Sequence, residues 1–124
     1  MKQLLLVGFG GFIGSIARFW VSKLNISHNF LSIPIGTLTV NILGSLVIGL
    51  IAGLAHKHLQ INSNWQLFLM VGVCGGFTTF SSFSNENFLL LQNGQILSSF
   101  IYSSLSILFG FLAVYLGYFI SNFL

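Results

Sequence analysis

The sequence predicts an all-α membrane protein of four transmembrane helices, with the third helix broken near its middle. Three observations predict it. Only 4% of the 124 residues are charged and 55% are hydrophobic, with a mean hydropathy of +0.95. A soluble domain carries about 25% charged residues because its surface must be hydrated, so lipid must solvate most of this chain. The apolar residues also fall into four runs, each near the roughly 20 residues a helix needs to cross the hydrocarbon core. Finally, the third run contains Gly75-Gly76, Thr78-Thr79 and Ser81-Ser82 in close succession, a poor helix interior by intrinsic propensity.

The first run covers residues 4–22. Lys2 ahead of it resembles the start of a signal peptide, but no small-residue cleavage site follows, and the run is expected to be retained. The second run covers 33–55, and Pro34, the single proline, stands at its start, where a missing N–H costs nothing. The third covers 65–91, with Asn62, Ser63 and Asn64 available as caps. Asn93-Gly94 marks a tight turn before the fourth run at 96–120. The polar punctuations at 25–32, 56–64 and 92–95 are short, so residues 1–124 read as one domain. Cys74, the single cysteine, lies inside a run and can form no intrachain disulfide.

Glycine supplies a second pattern. Gly10/Gly14, Gly49/Gly53 and Gly72/Gly76 each place two glycines on one helix face. Helices in lipid associate through close backbone approach at such small residues, so the pattern predicts a compact, glycine-seamed bundle. Charge supplies a third. Lys2 and Lys57 belong to one side of a four-span chain, and Arg18 and Lys23 to the other. Orientation follows the Lys/Arg bias between short loops, and here that bias vanishes. The balance predicts insertion in both orientations and antiparallel pairing with a second copy. The net charge of +3 forms no patch of the kind nucleic acid requires.

The chemistry concentrates in the third run. A break there exposes backbone polar groups at bilayer depth, which is tolerated only where they are buried in protein or line a watery cavity, and broken helices are a recurring way to build ion sites. A continuous helix spending its hydroxyls on interhelical bonds is the alternative. Phe77, Phe80 and Phe83 recur at spacing three, with Thr79, Ser82 and Glu86 on a neighbouring face and no cation nearby in the chain. An aromatic ring carries positive potential at its edge, so ring edges with hydroxyl donors can coordinate an anion without trapping it, the compromise conduction needs. Asn41 in the second run marks either an interhelical hydrogen bond or a pore. Ser99, Tyr102, Ser103 and Ser106 form one hydroxyl stripe that suits a dehydrating anion or helix packing equally.

Three stretches together, Gly8-Phe9-Gly10-Gly11-Phe12-Ile13-Gly14-Ser15-Ile16-Ala17-Arg18, Gly36-Thr37-Leu38-Thr39-Val40-Asn41 and Gly75-Gly76-Phe77-Thr78-Thr79-Phe80-Ser81-Ser82-Phe83-Ser84, resemble the Fluc/CrcB family of fluoride channels. The similarity covers essentially the whole chain, and the third stretch is its most specific part. The first superficially resembles a dinucleotide fingerprint, but no βαβ unit or ribose-binding acid accompanies it.

The resemblance implies an antiparallel dual-topology homodimer in the bacterial inner membrane, exporting fluoride passively through two pores built from both copies. It implies that Phe80 and Phe83 line the path by their ring edges and that Asn41 donates a hydrogen bond to the ion. Tyr102 and Ser106 would continue a polar track that Thr79 and Ser82 join, and Arg18 would stand at an aqueous vestibule. A structural Na⁺ at the dimer centre would rest on the backbone carbonyls of Gly75 and Thr78. The rivals are weaker. A small multidrug or cation exporter needs a membrane-embedded carboxylate, usually in the first span, and that run has none. A non-transporting assembly subunit leaves the Phe–hydroxyl interleaving without a purpose. An enzyme is least supported, since His28, His56 and His58 sit in polar loops.

Overall fold

The computed structural model describes residues 1–26, 31–57 and 61–124, and every regular element among them is helical. Four stretches, Lys2–Asn25, Ile35–Lys57, Ser63–Gln92 and Ile96–Ser121, are long and apolar enough to cross a membrane. The expected runs match these to within about a helical turn at each end. Helix α1 is Lys2–Ser22, followed by a 3₁₀ turn at Lys23–Ile26, and α2 is Ile35–Lys57. The third stretch is composite. It opens with α3 (Ser63–Gln66), continues as a π-helical segment (Leu67–Cys74) and short α4 (Gly75–Phe77), and resumes as α5 (Phe80–Gln92). Helix α6 is Ile96–Ser121. His28 and His58 lie outside the described residues.

Local chemistry sets these ends. The Pro34 carbonyl accepts the Leu38 N–H at 3.0 Å, which closes the first turn of α2. The Asn62 side chain accepts the Asn64 N–H at 2.9 Å and caps α3. Helix α5 ends in a Schellman motif. Gly94 takes φ +74°, its N–H reaches the Leu91 carbonyl at 3.0 Å, and the Gln95 N–H reaches that of Leu90 at 2.8 Å. At the end of α6 the Lys57 ammonium donates to the Asn122 carbonyl at 2.8 Å, a cation supplying a helix C-terminus.

Helix α2 packs along α6, α1 packs against the π-helical segment and α4, and α5 rests on α6. The glycine pairs lie in these seams. Gly10 and Gly14 face backbone atoms of Phe68, Gly72, Val73 and Phe77, while Gly49 faces the Val114 carbonyl and Gly117 that of Leu46. The obstructing atoms are backbone, so neither side can yield. Gly49→Val is therefore expected to cost at least about 1–3 kcal/mol and to remove the folded peak in size-exclusion chromatography, whereas Gly8→Ala, with open space around its Cβ position, should elute as wild type. The largest fully buried side chains are Tyr102, Val40, Thr37 and Ser121, while Phe9, Phe100 and Phe111 stay exposed. That inside-out distribution is what lipid as solvent selects.

Candidate functional site

The site is organised by two residues outside helix. Thr78 (φ −77°, ψ 158°) and Thr79 (φ −151°, ψ 120°) take extended conformations between α4 and α5. Gly75 and Gly76, where the sequence pointed to a break, are helical. Extended residues within an apolar stretch free backbone groups that need new partners, and Asn41 on α2 supplies them. Its Nδ2 donates to the Thr79 carbonyl at 3.1 Å and its Oδ1 accepts the Thr79 N–H at 2.8 Å. The amide thus closes a two-bond ring on one peptide residue, using one of its two N–H donors. The Thr79 hydroxyl then accepts the Ser82 N–H at 3.2 Å, capping α5, and donates to the Ser82 hydroxyl at 3.1 Å.

Thr78 and Thr79 open onto a cleft of about 320 Å³ shared by α2, α5 and α6, with Asn41, Ser45, Thr79, Phe80, Phe83 and Ser106 in its wall. Six of the sequence-derived candidates, Thr78 among them, therefore meet in one place, Ser82 and Tyr102 lie outside it, and among the described residues no lining side chain is charged. Phe80 is 79% exposed. Its ring centroid lies 5.8 Å from that of Phe83, and Phe83 in turn meets Tyr102 edge-on at 5.2 Å and 60°. Tyr102 is behind this wall, fully buried. Its hydroxyl is committed to Glu86, and Ser106 donates to the Tyr102 carbonyl at 2.7 Å.

Behind Phe83, Glu86 and Tyr102, both noted in the sequence, meet in a pairing that the sequence did not disclose. Glu86 Oε2 accepts from the Tyr102 hydroxyl at 2.8 Å, and Oε1 accepts from the Thr37 hydroxyl at 2.7 Å and from Asn25 Nδ2 at 3.2 Å. Three neutral donors on one carboxylate are the complement an acceptor-only group needs. The signal was available: the one acid of an apolar chain must find donors, and it stands in helical register with Phe83 and Thr79. A second cluster fixes α5 to α6, since Asn87 Oδ1 accepts from Ser99 at 2.8 Å and Ser103 at 3.0 Å. The stripe of hydroxyls on α6 is thus divided. Ser99 and Ser103 pack helices, Ser106 borders the cleft, and Tyr102 lies buried behind its wall.

The other side of the extended pair faces α1. Arg18 Nη1 donates to the Thr78 carbonyl at 3.4 Å, so a cation absent from the neighbouring sequence is present in space. The N–H groups that a continuous helix would give the Gly75 and Thr78 carbonyls belong to Thr79 and Ser82, and both are used elsewhere. The Thr78 carbonyl takes the Arg18 guanidinium in place of its helical N–H, so a cationic group already stands at one of the two expected Na⁺ ligands, although backbone carbonyl oxygen is the donor type a hard cation prefers.

Comparison with known proteins gives the chain's family. Residues 5–118 match the family described as CrcB-like protein, Camphor Resistance. The chain is 44% identical over 123 residues to the fluoride-specific ion channel FluC of Azobacteroides pseudotrichonymphae, an alignment covering 99% of this chain and 98% of that one. It is 48% identical over 117 residues to the channel of that name from Gloeothece citriformis, covering 94% of each. A third such relative, from Flavobacterium psychrophilum, is 40% identical over 122 residues and 98% of both chains.

Proposed function

The chain belongs to the CrcB-like protein family, and from this membership we propose that it is a fluoride-selective channel through which the ion leaves the cell passively. It is a multi-pass integral membrane protein, in bacteria one of the plasma membrane, and a channel rather than an enzyme. The observation that carries the assignment to a place in the molecule is the uncharged cleft at Thr78–Thr79. It gathers two phenylalanine rings, an amide and hydroxyls around a helix interruption. Residues 1–124 act as one channel unit.

In this mechanism the interruption of the third span exposes the N-terminus of α5, whose partial positive charge favours an anion, beside the Phe80 and Phe83 ring edges. The second N–H of Asn41 is directed to the ion, the first being spent on Thr79. Thr79 offers its hydroxyl on the cleft wall, Ser82 stands behind it as that hydroxyl's partner, and Ser106 extends the wall. Tyr102 acts by backing Phe83, and contributes its own hydroxyl when Glu86 releases it. A membrane potential negative inside drives the anion outward by about 2.3 kcal/mol per 100 mV, so no pump is required.

A second copy, inserted in the opposite orientation, completes the pathway. The even split of cations supports this, as does the exposure of Phe80 on the open side of the cleft. Two copies give two equivalent pores. The carbonyls of Gly75 and Thr78 would hold Na⁺ at the dimer centre, supplying positive charge beside the path, only with the Arg18 guanidinium, which donates to the Thr78 oxygen, moved off it toward the vestibule.

Reconstituted into liposomes and read with a fluoride electrode, the protein is expected to release fluoride under a potassium diffusion potential and to pass chloride at background. Equal passage of both ions, or of neither, contradicts the assignment. Finding one orientation alone by cysteine-accessibility labelling contradicts the antiparallel dimer.

A further inference from the structure

Asn25 stands outside the cleft, in the 3₁₀ turn after α1, yet its side chain makes three hydrogen bonds to α2 and α5. Its Oδ1 accepts the Thr37 N–H at 3.1 Å, and its Nδ2 donates to the Thr37 hydroxyl at 3.0 Å and to Glu86 Oε1 at 3.2 Å. The first bond has an ordinary explanation. Thr37 lies in the first turn of α2, where N–H groups lack helical partners, and an Asn side chain is a good cap. The two donated bonds do not cap anything. They converge on a hydroxyl and a carboxylate that already bond each other at 2.7 Å.

From Glu86 the contacts continue toward the cleft. The carboxylate holds the Tyr102 hydroxyl, the Tyr102 ring meets the Phe83 ring at 5.2 Å, and Phe83 meets Phe80 at 5.8 Å. We propose that Asn25 is a positioning residue for anion passage: its amide donors hold the Glu86 carboxylate against Thr37 and Tyr102, which turns its charge away from the cleft and sets the Phe83 ring. This rests on the channel reading above and adds a residue remote from the path. Three neutral donors hold the carboxylate, so removing the Asn25 donor weakens the hold on a negative charge one helical turn from Phe83.

Two roles for Asn25 can be separated because aspartate caps helices as well as asparagine. Asn25→Asp keeps the acceptor for the Thr37 N–H and replaces both donors with an oxygen facing Glu86. If Asn25 only caps α2, this variant conducts like wild type and Asn25→Ala is the more damaging. With the positioning role, Asn25→Asp lowers fluoride efflux on the order of tenfold or more and is worse than Asn25→Ala. The double variant Asn25→Asp with Glu86→Gln sets one carboxylate against a neutral amide donor, which removes the repulsion, so it remains informative where the single variant does not fold. It is expected to conduct like Glu86→Gln alone, and a further drop overturns the proposal. Wild-type fluoride efflux with unchanged Asn25→Asp efflux overturns this proposal alone. A wild-type protein that passes no fluoride overturns the channel reading and this inference with it.

Discussion

Replacing Phe83 by isoleucine is expected to lower fluoride efflux by at least about tenfold, equivalent to ~1.4 kcal/mol on the barrier, while the protein still elutes as a folded species. The ring lies between Phe80 and Tyr102 in a continuous aromatic file. Its edge carries the positive potential that an anion meets in place of water. Isoleucine keeps much of the apolar volume and loses the quadrupole, so chemistry changes more than packing. Phe80→Ile provides the cleaner comparison, because a side chain 79% exposed contributes little to the fold of its own chain. Both variants are expected to lose efflux, and only Phe83→Ile is expected to lower thermal stability, through its lost contact with buried Tyr102. Undiminished efflux in both would remove the aromatic file from the pathway and leave the hydroxyl and amide groups to carry it.

Much of this was legible before the fold. The four spans follow from apolar run length, and their ends from Pro34, Asn62 and Asn93-Gly94, because caps and turns depend on neighbours in sequence. Phe80, Phe83, Thr79, Asn41 and Ser106 were named from residue type, and the fold brings them to one cleft. The glycine spacing identified the seams but not their partners, since a small residue records that something approaches without recording what. The extended residues are Thr78 and Thr79 rather than the glycine pair, and the Thr79 backbone pairs with Asn41, a partner 38 positions away. Glu86 was noticed as the one acid beside the Phe face, but its pairing with Asn25 and Thr37 was not, for the same reason. The three residues are 12, 49 and 61 positions apart in their pairings, and no local pattern encodes such a meeting.

The largest combined effect on fold and flux is expected at Asn41. Replacement by leucine, nearly the same shape, deletes both bonds to Thr79 and leaves its N–H and carbonyl without partners. Each such group costs about 1–3 kcal/mol in a protein interior and more where lipid is the alternative to water, so Asn41→Leu is expected to lose on the order of 2–6 kcal/mol and to abolish efflux. That result alone would not separate a structural amide from one that also serves the ion. Asn41→Asp does. The carboxylate still accepts the Thr79 N–H, so part of the folding loss is recovered, but it sets one negative charge against the Thr79 carbonyl and another obstacle before any entering anion. Thermal unfolding should therefore rank wild type above Asn41→Asp above Asn41→Leu, while fluoride efflux is absent from both variants. If Asn41→Asp regains efflux in step with its stability, the amide serves the backbone only, and the donors that meet the ion are the hydroxyls of Thr79 and Ser106.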